Sequence, residues 1–231
     1  MPPPKIIQSH SPLLSRSLLI STIDGYLKAV DLHNGKVKWS LKEDPVLISP
    51  KTIQHGFTFI PDPQDGGLYM LKDGQLKKLP YSIPQLVSAS PCRTADGVLY
   101  AGSKKDVWLE IDSDKGMKMG ELSQSQTDRQ CPLNKNTTIL IGRSEYKLTM
   151  MDPENRDRRW NATFTDYSSH LLPADPSYPY QHFTSTVGGQ VVAVNVSEGS
   201  IAWEIDVGNT VVAMYILQND GLHSSEEGAT V

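Results

Sequence analysis

Residues 18–39 read LLISTIDGYLKAVDLHNGKVKW. Apolar and polar side chains alternate on both sides of Asp24-Gly25 and again around Asn34-Gly35. Asx-Gly pairs supply the positive φ values of tight hairpin turns, and alternation places every second side chain on one buried face. The stretch therefore predicts three short antiparallel strands, the last ending in Trp39. Residues 182–203, HFTSTVGGQVVAVNVSEGSIAW, repeat the spacing: Gly25 precedes Gly35 by ten and Gly189 precedes Gly199 by ten, each second glycine standing four before a tryptophan. In residues 139–160 Asp152 precedes Trp160 by eight, as Asp31 precedes Trp39 and Asn195 precedes Trp203. Residues 98–116 keep the step from Asp112 to Gly116 without the tryptophan, and a shortened copy surrounds Asp73. The anchors Asp31, Asp73, Asp112, Asp152 and Asn195 lie 42, 39, 40 and 43 residues apart.

An interval near forty is that of a propeller blade, a unit of four short antiparallel strands. One such sheet cannot bury both faces alone, so the recurring tryptophans are expected to pack between neighbouring units. The fold class predicted is all-β: a propeller-like, quinoprotein-type array of about five antiparallel units, incomplete as a ring. Residues 18–217 form this domain. Residues 1–17, which open with three prolines and carry Arg16 inside an apolar stretch, are expected to be a disordered leader with no signal peptide. Residues 218–231 lose the alternation and are expected to fray. Residues 165–182, with three prolines, three tyrosines and two histidines, read as a surface loop.

Composition narrows the function. The chain has 231 residues, 38% of them hydrophobic, and 22 Lys and Arg against 26 Asp and Glu give a net charge of −4. That balance exerts no global pull on nucleic acid or anionic lipid. The longest apolar run, Val211 to Leu217, is far short of the roughly 18 residues that cross a bilayer. No phosphate-cradling glycine loop occurs, and the six histidines fall in no ligand spacing, so each is expected in a loop or in solvent. Asp24, Asp31, Asp96 and Asp112 occupy turn positions where aspartate is favoured on conformational grounds. No catalytic residue, cofactor site or metal site is nominated. Sequons stand at Asn136, Asn161 and Asn195. The two cysteines, Cys92 and Cys131, are too few for a disulfide scaffold and leave one bridge open.

Two basic clusters stand out, Lys104-Lys105 and Arg156 to Arg159. Interleaved aspartates, Asp106 and Asp157, weaken any phosphate-binding role. The segment GSKKDVW lies in a strand predicted from Val98 to Ile111. Lysines and an aspartate there protect an edge from indiscriminate pairing, and they equally suit a regulated pairing surface.

Several longer stretches carry a resemblance: STIDGYLKAV, KEDPVL, LPYSIPQLVSASPCRTADG, GSKKDVW, GRSEYKLTMMD and RWNATFTDY. Together, from about Leu18 to about Leu222, they resemble the luminal sensing domain of the inositol-requiring transmembrane kinase/endoribonuclease family, sensors of stress in the endoplasmic reticulum. The resemblance implies a single-pass membrane protein whose luminal part responds to unfolded polypeptides, to release of the chaperone BiP, or to both. It implies a homodimer or higher oligomer formed by pairing edge strands, with Leu99, Lys104, Asp106 and Trp108 as interface residues. It implies glycosylation at Asn161, with Asn136 and Asn195 as weaker sequons, and redox-sensitive cysteines at Cys92 and Cys131. Ser103 and Lys105 depart from the vertebrate pattern, which places a lysine and a glutamine there. The kinase motifs VAIK, HRD and DFG, the ribonuclease and the family's leader are absent from these residues, so the chain is expected to be a truncated, non-catalytic member. ATP and magnesium belong to the missing kinase.

Two other readings compete. A quinoprotein-like propeller dehydrogenase shares the repeat but requires more blades, a calcium site and cofactor-stacking groups. A generic propeller scaffold that binds a protein by its face explains the repeat, but not the long SPCR and RWNAT stretches.

Overall fold

A computed structural model describes residues 16–54, 56–72, 74–95, 97–123, 138–155, 157–168, 171–173, 178–218 and 221–224. Four antiparallel sheets account for the strands of the described residues. Sheet I holds β1 (Ser17–Thr22), β2 (Tyr26–Asp31) and β3 (Val37–Lys42), completed by β16 (Val211–Gln218) and β17 (Gly221–Ser224) from the far end of the chain. Sheet II holds β5 (Thr58–Pro61), β6 (Gly67–Lys72) and β7 (Gln75–Ser82). Sheet III joins β9 (Leu99–Asp112), β10 (Lys118–Ser123), β11 (Thr138–Met151) and β12 (Arg159–Asp166) to two short strands, β4 (Leu47–Ile48) and β8 (Cys92–Arg93). Sheet IV holds β13 (Tyr180–Thr184), β14 (Gln190–Asn195) and β15 (Ser200–Asp206). The all-β, propeller-like class stands.

The sheets stack in the order IV, I, III, II, which differs from their order along the chain. Leu18 and Ile20 of β1 face Val191, Ala193 and Trp203 of sheet IV. Leu19, between them, faces the other way, toward Leu109, Ile111, Ile139 and Ile141 of sheet III. This is why β1 is buried along its whole length. A third cluster packs Tyr100, Leu148, Met150 and Trp160 of sheet III against Phe59 and Leu68 of sheet II.

Tryptophans lock the first two junctions through one device. Trp39 donates its indole N–H to the carbonyl of Ser113 at 2.8 Å, and Trp203 donates to Leu32 at 2.6 Å. Each acceptor directly follows the Asp that opens the next sheet's turn, Asp112 or Asp31. Each ring lies on the glycine four residues after that Asp: a Cβ at Gly116 would stand 2.5 Å from Trp39, and one at Gly35 would stand 2.9 Å from Trp203. Both glycines have positive φ, so the turn needs glycine twice over. At the third junction Trp160 packs edge-on against Phe59, with ring centroids 5.6 Å apart.

The four expected anchors that are described, Asp31, Asp112, Asp152 and Asn195, fall in three of the sheets. Asp112 and Asp152 share sheet III because β9 and β11 are continuous strands of 14 residues, paired from Thr138 opposite Asp112 to Met151 opposite Leu99. In sheet II the turn bonded like that of Asp31 is opened by Asp62, where Gly66 N–H donates to Asp62 O and Asp62 N–H to Gly67 O. Asp73 lies outside the described residues. One helix, α1 (Ile83–Ala89), follows β7, and a reciprocal cap between Ser82 and Gln85 starts it. Within the tail expected to fray, Gly221–Ser224 form β17 instead, held against β16 from Gln218 to Tyr215. The loop expected over 165–182 is partly core: Tyr167 and His182 are buried. His182 contradicts the expectation of an exposed histidine, because its place on β13 turns it onto Trp203 of the same sheet.

Candidate functional site: the open edge of β9

β9 is paired with β11 along its full length on one side and only partly on the other. Gly102 N–H donates to Ser90 Oγ at 2.7 Å, and Asp112 N–H donates to Met117 O beside β10. Both bonds point away from β11, so the even-numbered backbone groups of β9 face its outer side. On that side β8 covers Leu99 and Tyr100, and β10 covers Val107 to Ile111. Among the described residues no strand covers the step between, and the backbone of Lys104 faces it. The window covers residues 103–106, between Gly102, bonded to Ser90, and Val107, paired with Ser123.

Even-numbered side chains here share one face of sheet III. Lys104 Nζ lies 3.0 Å from Asp106 Oδ1 and 5.7 Å above the ring centre of Tyr146. Asp106 Oδ1 also accepts from Ser144 Oγ at 2.5 Å. The hydrogen bond to Asp106 raises the Lys104 pKa, so the ammonium is held charged. Trp108 follows on the same face, half-buried, opposite Leu122 and Gly142. Leu122 and Leu140 expose apolar surface beside it.

Lys104 and Asp106 thus lie in the window and Trp108 beside it on the same face, three of the four residues expected at an interface. Leu99 is not brought together with them. It lies on the opposite face of β9, roughly 16 Å from Lys104 at 3.3 Å per residue, paired with Arg93 and Met151. Sequence reasoning missed Ser144 and Tyr146, which complete the face from β11. They stand in GRSEYKLTMMD, where β11 pairs with β9 residue by residue, but a cross-strand register is not visible in one sequence.

On the other face an ionic cluster fixes β10 and β11 beneath the edge. Arg143, almost fully buried, bonds Glu43 Oε2 at 2.5 Å and Glu145 Oε1 at 2.6 Å. Burial pulls the Arg143 pKa down, but the charges of Tyr167, Glu145 and Glu43 outweigh it and the net shift is upward. Tyr167 is pushed up to about 12 by burial, with Arg143 opposing. Lys118 bridges Glu43 and Glu121, and its hydrogen bond holds the Glu121 carboxyl below the usual range. Lys105 reaches Glu121 at 3.3 Å.

The remaining candidates are dispersed. Asn161 is exposed on β12, opposite Thr149. Asn195 is half-buried, and its Oδ1 accepts from Ser197 N–H and Ser197 Oγ, the latter at 2.8 Å, so its side chain serves the turn. Cys92 lies half-buried on β8. Cys131 and Asn136 lie outside the described residues. Among the described residues no cluster of three His, Cys, Asp or Glu side chains is arranged to hold a metal ion, and no helix is long and apolar enough to cross a membrane.

No family model matches the chain. The serine/threonine-protein kinase/endoribonuclease ire-1 of Caenorhabditis elegans is 52% identical over 209 residues, which are 90% of this chain and 22% of that protein. The human serine/threonine-protein kinase/endoribonuclease IRE2 is 36% identical over 218 residues, 93% of this chain and 23% of that protein. The chain therefore spans less than a quarter of the length of these curated relatives. In fold it is similar to the compact luminal domain of yeast Ire1, with a TM-score of 0.69 and 20% identity, over 91% of this chain and 76% of that one. The chain belongs to the Ire1 kinase/endoribonuclease family and carries the fold of its luminal domain.

Proposed function

We propose that this chain is the stress-sensing luminal module of an unfolded-protein-response receptor, and that it self-associates through the open edge of β9. The observation that supports the reading is the window at Lys104. An edge flanked by short strands and carrying both signs of charge is self-complementary, so it suits an isologous antiparallel pairing about a two-fold axis. Because even-numbered backbone groups face outward, the hydrogen-bonded pairs must join even residues. A register centred on Lys105 sets Lys104 opposite Asp106 of the second copy, twice. The neighbouring registers oppose Lys104 to itself or Asp106 to itself, and like charges directly opposite are destabilising. Lys105 meets its own copy in the favoured register, but Glu121 neutralises it.

The module works in the lumen of the endoplasmic reticulum as part of a single-pass protein whose kinase and endoribonuclease, named for its relatives, lie elsewhere in the polypeptide. The chain itself is not catalytic. Unfolded polypeptides and a BiP-type chaperone are its regulators, shifting the balance between monomer and dimer. Unfolded segments dock on the face that carries Trp108, Leu122 and Leu140, where apolar surface adjoins a charged edge. Asn161, exposed on a strand, is the sequon used for glycosylation, and Cys92 with Cys131 modulates higher assembly.

Sedimentation velocity on the whole chain, wild type against Lys104→Pro, tests the pairing. Proline at 104 removes an outward N–H and leaves the β9–β11 ladder intact. Circular dichroism matching wild type with loss of the dimer supports the reading. A folded Lys104→Pro protein that dimerises like wild type contradicts it.

A further inference from the structure

A cavity of about 630 Å³ opens between β7, α1, β8 and the start of β9, beyond the Ser90 flank of the β9 window. Leu79, Pro80, Leu86, Ala89 and Tyr100 make its walls mostly apolar, and Arg93 stands at its rim. Its shape is preset. The cap between Ser82 and Gln85 fixes the first turn of α1, and Leu86 on the same helix is anchored in the core shared by sheets II and III. Volume and lining fall within the range of small-molecule sites, about 300–1,000 Å³ with a few placed polar groups. Arg93 is solvent-exposed, and none of the ion pairs among the described residues engages it. A guanidinium beside an apolar recess complements one anionic group attached to an apolar body.

We propose that this cavity binds a small amphiphile, its apolar part lying against Leu79, Leu86 and Ala89 and its carboxylate held by Arg93. The volume is too small for a folded partner. A neutral apolar molecule forgoes the charge-assisted contact, and a short anion forgoes the burial.

Alanine methyl resonances of Ala89 and Ala95, both lining the cavity, report occupancy in the whole chain. The probes are decanoate, decanol and acetate. Decanoate is expected to shift both resonances saturably, decanol to bind about tenfold more weakly, and acetate to have no effect. Arg93→Gln should weaken decanoate about tenfold and leave decanol unchanged. Ala89→Trp, which fills the recess, should abolish the response to both while circular dichroism stays as in wild type. Equal affinity for decanoate and decanol, or decanoate binding that Arg93→Gln leaves unchanged, overturns the proposal. So does a shift that never saturates. The Arg93→Gln comparison decides the matter even if Ala89→Trp fails to fold.

Discussion

The indole N–H of Trp203 ends on the carbonyl of Leu32, 2.6 Å away and 171 residues earlier in the chain. That bond ties sheet IV to sheet I, and Trp39 to Ser113 ties sheet I to sheet III in the same way. The repeated tryptophan therefore holds separate sheets together, and sheet I sits between its two uses.

Trp203→Phe and Trp39→Phe each keep most of the apolar packing and orphan a carbonyl at a sheet junction. Each is expected to cost about 1–3 kcal/mol, read as a lower urea midpoint with unchanged slope. A cost within error of zero for both would show that the junctions rest on the rings alone.

Gly116 and Gly199 have nearly the same positive φ, +66° and +65°, but only Gly116 lies against an indole. A Cβ added at Gly199 would meet nothing within 4 Å. Gly199→Ala should cost only the backbone strain, about 1 kcal/mol, whereas Gly116→Ala should cost several times more by displacing Trp39. Chemical denaturation of the two variants side by side separates strain from packing.

Arg143 is the buried hub for Glu43 and Glu145. Arg143→Met leaves those carboxylates without their cation and should cost about 3–5 kcal/mol. Adding Glu43→Gln should recover part of the loss. If the double variant is no more stable than Arg143→Met alone, the pairing does not govern the cost.

His182 is buried beside Tyr178 and Trp203, and burial lowers its pKa to about 4 from an ordinary 6.5. A histidine whose folded pKa is depressed favours the folded state above 6.5, and that advantage disappears as pH falls toward 4, because the unfolded chain takes up the proton first. The loss across that window approaches about 3 kcal/mol. Urea midpoints of wild type should therefore fall more steeply between pH 6.5 and 4 than those of His182→Phe. Parallel profiles for the two proteins would contradict the assignment.

Much of this fold was legible. Asp24-Gly25, Asn34-Gly35 and Trp39 mark three strands of sheet I, and Gly189, Gly199 and Trp203 mark sheet IV, because turn chemistry and alternation are local. The merger of two expected units into sheet III was not legible, since nothing at Gly102 or Arg143 says whether a strand bends or continues through. Asp62 was hidden because its turn lies beside other Asp and Gly residues in PDPQDGG. The helix was missed although Ser82 and Gln85 form a capping box in plain view; seven residues are too few for helical periodicity to register. At the site, Lys104, Asp106 and Trp108 carried a signal of edge charge and resemblance. Ser144 and Tyr146 did not, because their role comes from register. Leu99 shares the strand but not the face, a distinction set by strand parity.

In the proposed dimer two copies join through β9 with Lys104 opposite Asp106, and a charge-exchange cycle followed by sedimentation equilibrium tests that pairing. Lys104→Glu and Asp106→Lys should each weaken self-association about tenfold or more, since each places like charges opposite one another twice. The double variant Lys104→Glu/Asp106→Lys should return to within about threefold of wild type. If it stays as weak as either single variant, or if the single variants associate like wild type, the pairing described here is wrong.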